Sequence, residues 1–151
     1  MRFLVQRVQR ASVSVANETI GEIDKGYLIL MGVAPNDTKE QADLLMKKAL
    51  SMRIFEDEAG KTNLSLSQVG GSILLVSQFT LYGSLRHGNR PSFMGFAAAP
   101  DIAEPLYDYV TEGLRKSGVH VETGSFGADM QVSLLNDGPF TVLLDSDELT
   151  A

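Results

Sequence analysis

Apolar and polar residues follow two different patterns in the first third of the chain. Residues 2–8 are rich in Val, Leu and Phe, which predicts a β-strand. Every second residue from 11 to 15 is apolar and the others are serines, which is the period of a half-buried strand. Residues 19–23 are expected to return as a third strand. The almost wholly apolar residues 26–33 indicate a strand that is buried on both faces.

Two stretches show the spacing of apolar residues that is typical of amphipathic helices. Residues 38–52 form the clearest one, and Thr38 with Gln41 three positions later predicts a capping box at its start. The second follows Pro100, which suits the first position of a helix. Because Pro105 falls within it, we expect either a kink or a helix that begins near Pro105. Its predicted apolar face consists of Ile102, Leu106, Tyr109, Val110 and Leu114.

A central strand is predicted where an apolar run, residues 73–76, follows a pair of glycines. Polar side chains appear at the end of this strand, in the motif Ser77-Gln78-Phe79-Thr80-Leu81. The glycine-rich and charged residues 83–90 come next and are expected to form a mobile surface loop.

A second polar motif, Asn136-Asp137-Gly138-Pro139-Phe140-Thr141, lies between two apolar segments near the C-terminus. Asn, Asp and Gly suit a sharp turn, and Pro139 lacks an amide hydrogen, which a sheet tolerates only at an edge or a bulge. Two interpretations stay open at this point. The motif is a hairpin turn, which the stretch itself favours, or Gly138 and Pro139 present bare backbone to a ligand. Residues 146–151 form an acidic tail that is expected to be frayed.

Composition limits the class of protein. The chain has 151 residues, 44% of them hydrophobic, which is enough for a single mixed α/β domain over residues 1–145. The absence of cysteine excludes disulfides and thiol nucleophiles. No apolar run has the length of a membrane span and no signal peptide is evident, so a cytoplasmic protein is expected. The net charge of −6 excludes a generic polyanion binder, so a nucleic acid would have to be held by a local pocket.

Few side chains could support catalysis by themselves. The only histidines, His87 and His120, have no partners at metal-ligand spacing, so no metal site is expected. Ser77 and Thr80 are the best-placed hydroxyls, but neither a G-x-S-x-G elbow nor an obvious base accompanies them.

Three further residues each have two open interpretations. Phe126 and Met130 either pack in the core or form a wall for a nucleobase. Arg7 is either a solvated charge at a strand edge or a donor of several hydrogen bonds to backbone carbonyls or a terminal phosphate.

Taken together, the two polar motifs resemble the signature motifs of the D-aminoacyl-tRNA deacylases, also known as the D-tyrosyl-tRNA deacylase family. They occur in the same order and at the same separation, and the resemblance covers nearly the whole chain. The further matching segments are Gln6-Arg7-Val8, Arg10-Ala11-Ser12-Val13, Arg53-Ile54-Phe55, Asn63-Leu64, Arg90-Pro91-Ser92-Phe93 and residues 128–134.

This resemblance implies a homodimer with a barrel-like α/β fold, two main helices and no cofactor. The implied reaction is hydrolysis of the ester that joins a D-amino acid to the 3′-terminal adenosine of tRNA. Glycyl-tRNA, including glycine mischarged on tRNA-Ala, is an expected second substrate. A cis Gly138-Pro139 dipeptide would enter the partner's pocket, where its carbonyls exclude an L-side chain and let a D-side chain point to solvent. Such an enzyme serves chiral proofreading in translation.

The resemblance also implies catalytic roles for the end of the central strand. Ser77 and Gln78 would order the pocket, and the backbone amides around Phe79 and Thr80 would hold the developing oxyanion. The 2′-hydroxyl of the terminal adenosine assists the reaction, so no protein side chain need be the nucleophile.

Substrate-binding roles are implied for the remaining residues. Phe126 and Met130 would line the adenine pocket, while Arg7 would steady the Gly138-Pro139 turn. Two alternatives stay open. One is an ester hydrolase with Thr80 as nucleophile, and the other is a non-catalytic module that binds the acceptor end of tRNA.

Overall fold

The strand β1 is the central element of the fold, because three other strands pair with it. A computed structural model describes all residues, Met1–Ala151. Residues 2–8 and 11–15, expected as two strands, belong to the single strand Arg2–Val15.

The other elements follow in chain order. They are β2 (Glu18–Ile23), β3 (Gly26–Gly32), α1 (Lys39–Ser51), β4 (Arg53–Glu56), β5 (Thr62–Ser65), a short 3₁₀ turn (Ser67–Val69), β6 (Ser72–Ser77), a second 3₁₀ turn (Phe79–Tyr82), α2 (Pro100–Lys116), β7 (Val121–Thr123), β8 (Gln131–Asp145) and α3 (Ser146–Leu149).

The main sheet has six strands, of which β2, β1, β3, β6 and β7 follow one another while β8 pairs with β1. β6 runs parallel to β3 and β7, and the pairs made by β1 are antiparallel. β8 pairs along nearly the whole of β1, so β2 and β3 share the other edge of β1. The outer edge of β8 therefore has no strand partner within the chain. β4 and β5 form a separate pair.

The sheet curls until β2 packs against β6 and β7, to which it is not hydrogen-bonded. Gly21 permits this approach, because a Cβ atom there would lie 2.7 Å from the carbonyl oxygen of Thr123. Leu74 and Val76 of β6 point to the small apolar cluster inside the curl, and Ile73 and Leu75 point to the large cluster on the other face. The predicted mixed α/β fold with a barrel-like sheet is confirmed.

The helices α1 and α2 cover the large cluster and contact each other. The predicted capping box of α1 is present, with the backbone amide of Thr38 donating to Gln41 Oε1 at 2.7 Å. α2 begins at Pro100 and continues through Pro105, so the expected start near Pro105 is wrong. None of the helices has the length and apolar composition that crossing a membrane requires.

The interpretation of residues 136–141 as a hairpin turn is wrong. Both apolar flanks belong to β8 and pair with β1, where Gln6 faces Thr141 and Val8 faces Asn136. Residues 137–140 are therefore looped out of the ladder as a bulge. The flanks do not need each other as partners, since β1 is long enough to pair with both. Pro139 thus lies both at an edge and at a bulge, the two places where its missing amide hydrogen is tolerated.

The C-terminal residues also differ from expectation. They form the short helix α3 instead of a frayed tail, and Leu149 packs against the large cluster. Ser146 is buried, and its hydroxyl accepts a hydrogen bond of 2.7 Å from the amino group of Met1. The N-terminal amino group is therefore in direct contact with the last helix of the chain.

Candidate active site

A cavity of about 460 Å³ lies between the end of β6, the start of α2 and the segment before β8. Most of its wall is apolar, which suits a flat aromatic ligand group better than a highly charged one. The residues that line it are Met31, Val33, Val76, Ser77, Gln78, Phe79, Ala98, Pro100, Ala103, Tyr107, Phe126, Gly127, Ala128, Met130 and Val132. Five of the nine predicted site residues are among them.

The polar rim of the cavity is formed where β6 ends. Ser77 is the last residue of the strand, and the amide of Gln78 donates to the carbonyl of Met31 at 2.7 Å, which fixes the chain direction there. The turn Phe79–Tyr82 follows directly. Its opening amides, those of Phe79 and Thr80, have no acceptor inside the turn, because the first N–H groups of a helical turn never do. They are available in principle to an anionic atom of a ligand.

Thr80 is exposed next to the cavity but does not line it. Its hydroxyl accepts a hydrogen bond from the side-chain amide of Gln78, and an amide is not a base. His120 lies just before β7, and its Nε2 atom is 3.8 Å from Oε2 of Glu122. His87 is exposed in the loop after the turn. No general base is hydrogen-bonded to the Thr80 hydroxyl within the chain.

Phe126 and Met130 form one wall of the cavity. The ring of Phe126 packs against Tyr107 with centroids 5.9 Å apart, and the amide of Ser125 donates to Met130 Sδ at 3.4 Å. Gly124 lets the thioether fold back, since a Cβ atom there would lie 2.6 Å from the sulfur. Both side chains are held beside the cavity and only partly buried, which leaves their apolar faces accessible.

Tyr107 is a cavity residue that the sequence analysis missed. Its hydroxyl donates to the carbonyl of Leu75 at 2.6 Å. Burial raises the pKa of Tyr107 to about 12, so the hydroxyl remains protonated and a donor at neutral pH. Helical spacing could have identified it, because Ala103, Tyr107, Val110 and Leu114 recur at intervals of three and four residues.

The second group of predicted residues surrounds the bulge of β8. Arg7 is buried, and it donates from Nε to the carbonyl of Asp137 at 3.1 Å and from Nη1 to the carbonyl of Ile54 at 2.5 Å. Its guanidinium also lies 5.0 Å from the ring centre of Phe140. Arg7 is therefore not a solvated strand-edge charge. Its guanidinium donates to the carbonyl of Asp137, a looped-out residue that is paired with no residue of β1 in the ladder.

The bulge itself is tightly constrained. The side-chain amide of Asn136 donates to the carbonyls of Arg7 and Phe140, at 2.9 and 3.0 Å. Gly138 has a φ of +124°, and a Cβ atom there would lie 2.9 Å from Arg7 Nη2, so only glycine fits. The Gly138–Pro139 peptide bond is cis. Both residues are exposed, so their backbone faces outward.

Within one chain, the bulge and the cavity are apart. None of Arg7, Gly138 and Pro139 lines the cavity. In the sheet register Arg7 is level with Tyr27 and Ile73, whereas the cavity rim begins at Ser77. That is about 13 Å along β6, and β8 is a further ~14 Å away across β3 and β1.

Comparison with known proteins adds independent information. A model of the family described as D-Tyr-tRNA(Tyr) deacylase matches residues 4–145. The chain is 53% identical over 148 residues to a D-aminoacyl-tRNA deacylase of Thermus aquaticus, which covers 98% of this chain and 97% of that protein. A D-aminoacyl-tRNA deacylase of Geobacillus sp. (strain WCH70) has the same identity and coverage. A solved structure described as c-Myc DNA Unwinding Element Binding Protein has a TM-score of 0.89 and 41% identity, covering 96% of this chain and 98% of its own.

The bracing of the bulge by Arg7 can be tested with Arg7→Lys. Arginine reaches the two carbonyls from two different nitrogens, and lysine has only one nitrogen at the end of its chain. We expect at least one hydrogen bond to be lost and the free energy of unfolding to fall by about 1–3 kcal/mol. Urea titration at one protein concentration measures this. Arg10→Lys is the matched control, since Arg10 is an exposed residue of the same strand and should change stability by less than about 0.5 kcal/mol. Equal stability of the two variants would contradict the bracing role.

Proposed function

The chain belongs to the D-Tyr-tRNA(Tyr) deacylase family, whose members are hydrolases, and we propose that it removes D-amino acids and glycine from the 3′ end of tRNA in the cytoplasm. The observation that carries this proposal is the cavity at the end of β6, which joins an apolar wall to a rim of backbone amides without any paired nucleophile and base. Such a site suits a substrate that itself supplies a group that assists the reaction.

The terminal adenosine occupies the cavity in this proposal. Adenine is flat and largely apolar on its faces, and Phe126 and Met130 offer it a ring and a polarisable thioether. The ribose and its ester then lie toward the rim, next to Ser77 and Gln78. The apolar character of the wall supports a base rather than a phosphate in this position.

The reaction is hydrolysis of the ester at the rim. Water adds to the carbonyl carbon, the bond to the ribose oxygen breaks, and that oxygen leaves with a proton as the free hydroxyl of tRNA. The amides of Phe79 and Thr80 stabilise the negative charge that develops on the carbonyl oxygen. The neighbouring 2′-hydroxyl of the adenosine assists the attack. Gln78 holds the Thr80 side chain, and Ser77 orders the cavity rim.

Selection against L-amino acids requires the bulge of a second copy of the chain. The Gly138-Pro139 bulge lies far from the cavity of its own chain, and β8, which carries it, has an unpaired outer edge. Three large apolar side chains of β8, those of Leu134, Leu135 and Leu143, are exposed. These features support a homodimer in which the bulge of each chain lies at the cavity of the other chain.

The bulge would discriminate by backbone alone. Its carbonyls face the α-carbon of the bound ester, so an L-side chain collides with rigid main chain while a D-side chain points to solvent. Glycine has no side chain and passes. A backbone device suits this task, because all D-amino acids share the arrangement at the α-carbon whatever their side chain is.

Chiral selection predicts unequal hydrolysis of two substrates that differ only in handedness. The purified protein should release tyrosine from D-tyrosyl-tRNA at least about 100-fold faster than from L-tyrosyl-tRNA, because the clash is present in only one of them. Acid-precipitable counts of labelled tyrosine measure both rates. Equal rates would defeat the backbone clamp, and binding of D-tyrosyl-tRNA without turnover would favour the non-catalytic module.

The absence of a side-chain nucleophile predicts that Thr80→Ala retains most of the activity. By contrast, D-tyrosyl-tRNA ending in 2′-deoxyadenosine should react about 100-fold more slowly or not at all, because the assisting hydroxyl is missing. Single-turnover rates compare the two changes. The opposite result, with Thr80→Ala inactive and the deoxy substrate cleaved normally, would establish the Thr80 mechanism.

The shared site predicts complementation between two inactive chains. Gly138→Ala distorts the bulge, whose carbonyls also position the α-carbon of the bound ester, and Phe126→Ala removes the adenine wall, so each variant alone should lose most of its activity on D-tyrosyl-tRNA. Co-expression should restore roughly a quarter of the wild-type activity per chain, because about half of the dimers combine the variants and each of these holds one intact site. Co-expressed chains that remain as inactive as the separate variants would show that bulge and cavity act within one chain.

A further inference from the structure

The segment from Phe79 to the start of α2 carries several exposed apolar and basic side chains. We call it the loop surface, and it consists of Phe79, Leu85, Arg86, Arg90, Met94 and Phe96. Three of its apolar side chains are unusually open to solvent: Met94 is 91% exposed, Leu85 61% and Phe79 57%. A group of exposed apolar side chains on one segment marks an interaction site.

The loop that carries this surface is tied to the body at several points. Ser84 and Ser92 exchange two backbone hydrogen bonds of 2.9 and 2.8 Å. Phe93 packs edge-on against Phe79 with ring centres 4.9 Å apart, and the amide of Ala98 donates to the carbonyl of Val33 at 2.9 Å. The exposed side chains are thus presented on an anchored scaffold.

The charge of this region is opposite to that of the rest of the chain. The net charge is −6, yet no aspartate or glutamate occurs between Ala59 and Pro100. Arg86 and Arg90 fall within that stretch, and neither forms an ion pair in the chain. An acidic protein that keeps two arginines without ion-pair partners on the same segment as exposed aromatic side chains has the composition of a local site for single-stranded nucleic acid.

The loop surface is continuous with the cavity. Phe79 belongs to both, and Ala98 and Pro100, where the loop returns, also line the cavity. A polynucleotide whose last base occupies the cavity must leave through its mouth, past this loop. The neighbouring nucleotides of a tRNA end are single-stranded, so their bases are free to pack on side chains and their phosphates are accessible.

We propose that the loop surface binds the single-stranded nucleotides that precede the terminal adenosine of tRNA. Arg86 and Arg90 contact their phosphates, and Met94 and Phe96 pack against their bases. This inference rests on the proposed function and extends it, since the cavity accounts for the adenosine alone. The acidic body then keeps the rest of the tRNA at a distance, and affinity is concentrated at the tip of the substrate.

The test compares a full substrate with one that lacks these nucleotides. Wild-type protein should cleave D-tyrosyl-tRNA with a kcat/KM at least about tenfold above that for D-tyrosyl-adenosine. Arg86→Ala/Arg90→Ala should lower kcat/KM for the tRNA about tenfold through KM, and leave cleavage of D-tyrosyl-adenosine unchanged. Lys47→Ala/Lys48→Ala removes the same charge from the exposed face of α1 and should change neither value.

Salt dependence supplies a readout that does not need turnover. Fluorescence anisotropy measures the Kd of tRNA that carries no amino acid at several salt concentrations. For Arg86→Ala/Arg90→Ala the slope of log Kd against log salt should fall by roughly 0.7 for each lost phosphate contact, or about 1.4 in total. Met94→Ser/Phe96→Ser should weaken binding and leave that slope unchanged, because stacking on bases releases few ions.

Several results would overturn the inference. Equal kcat/KM for the two substrates of the wild-type protein would do so while leaving the proposed function intact. An arginine variant with the same kcat/KM as the lysine control would also overturn it. So would an arginine variant that is monomeric on light scattering, because the loop surface would then bind a second copy of the chain. Failure of the wild-type protein to cleave either substrate would instead remove the proposed function, and this inference with it.

Discussion

The pairing of β8 with β1 governs the arrangement of the whole molecule. β1 uses one edge for β2 and β3 and the other for β8, so its length sets where each functional group can lie. The cavity forms where β6 ends and the chain turns into the Phe79–Tyr82 segment. The bulge forms on the other side of β1, at the larger of the two irregularities in the β1–β8 ladder. Arg7 lies at that interruption, where it donates to the carbonyl of Asp137 in the bulge and to the carbonyl of Ile54 on β4.

This geometry explains why some elements could be predicted from sequence and others could not. α1 and β3 are found where local periodicity and the capping residues indicate them, because those signals depend on neighbouring residues. The course of residues 131–145 depends on β1, which is more than a hundred positions away in sequence. A local pattern of strand, turn and strand therefore favoured a hairpin, whereas the true partner of both flanks lies at the other end of the chain.

The cavity shows the same division between local and distant information. The polar residues after β6 were recognisable as a strand end, but nothing local joins them to Phe126 and Met130, which arrive through β7 and the following turn. On α2, Ile102 was expected to face the core and is instead 38% exposed, while Tyr107 was missed and is buried. Leu106, Val110 and Leu114 are buried as predicted, and the buried face extends to Ala103 and Tyr107 instead of Ile102. The prediction was anchored on large side chains and therefore omitted Ala103. Only the family resemblance links the two polar motifs, because they lie apart within one chain.

The unpaired outer edge of β8 also affects how readily the chain aggregates. A fifteen-residue strand with unsatisfied backbone groups and outward leucines is a template on which any extended polypeptide can add. Pro139 interrupts that template in its middle, because it cannot donate to an incoming strand, and the looped residues beside it break the regular spacing. The looped residues and Pro139 therefore limit indiscriminate self-association along this edge, and substitutions there are constrained by solubility as well as by the fold.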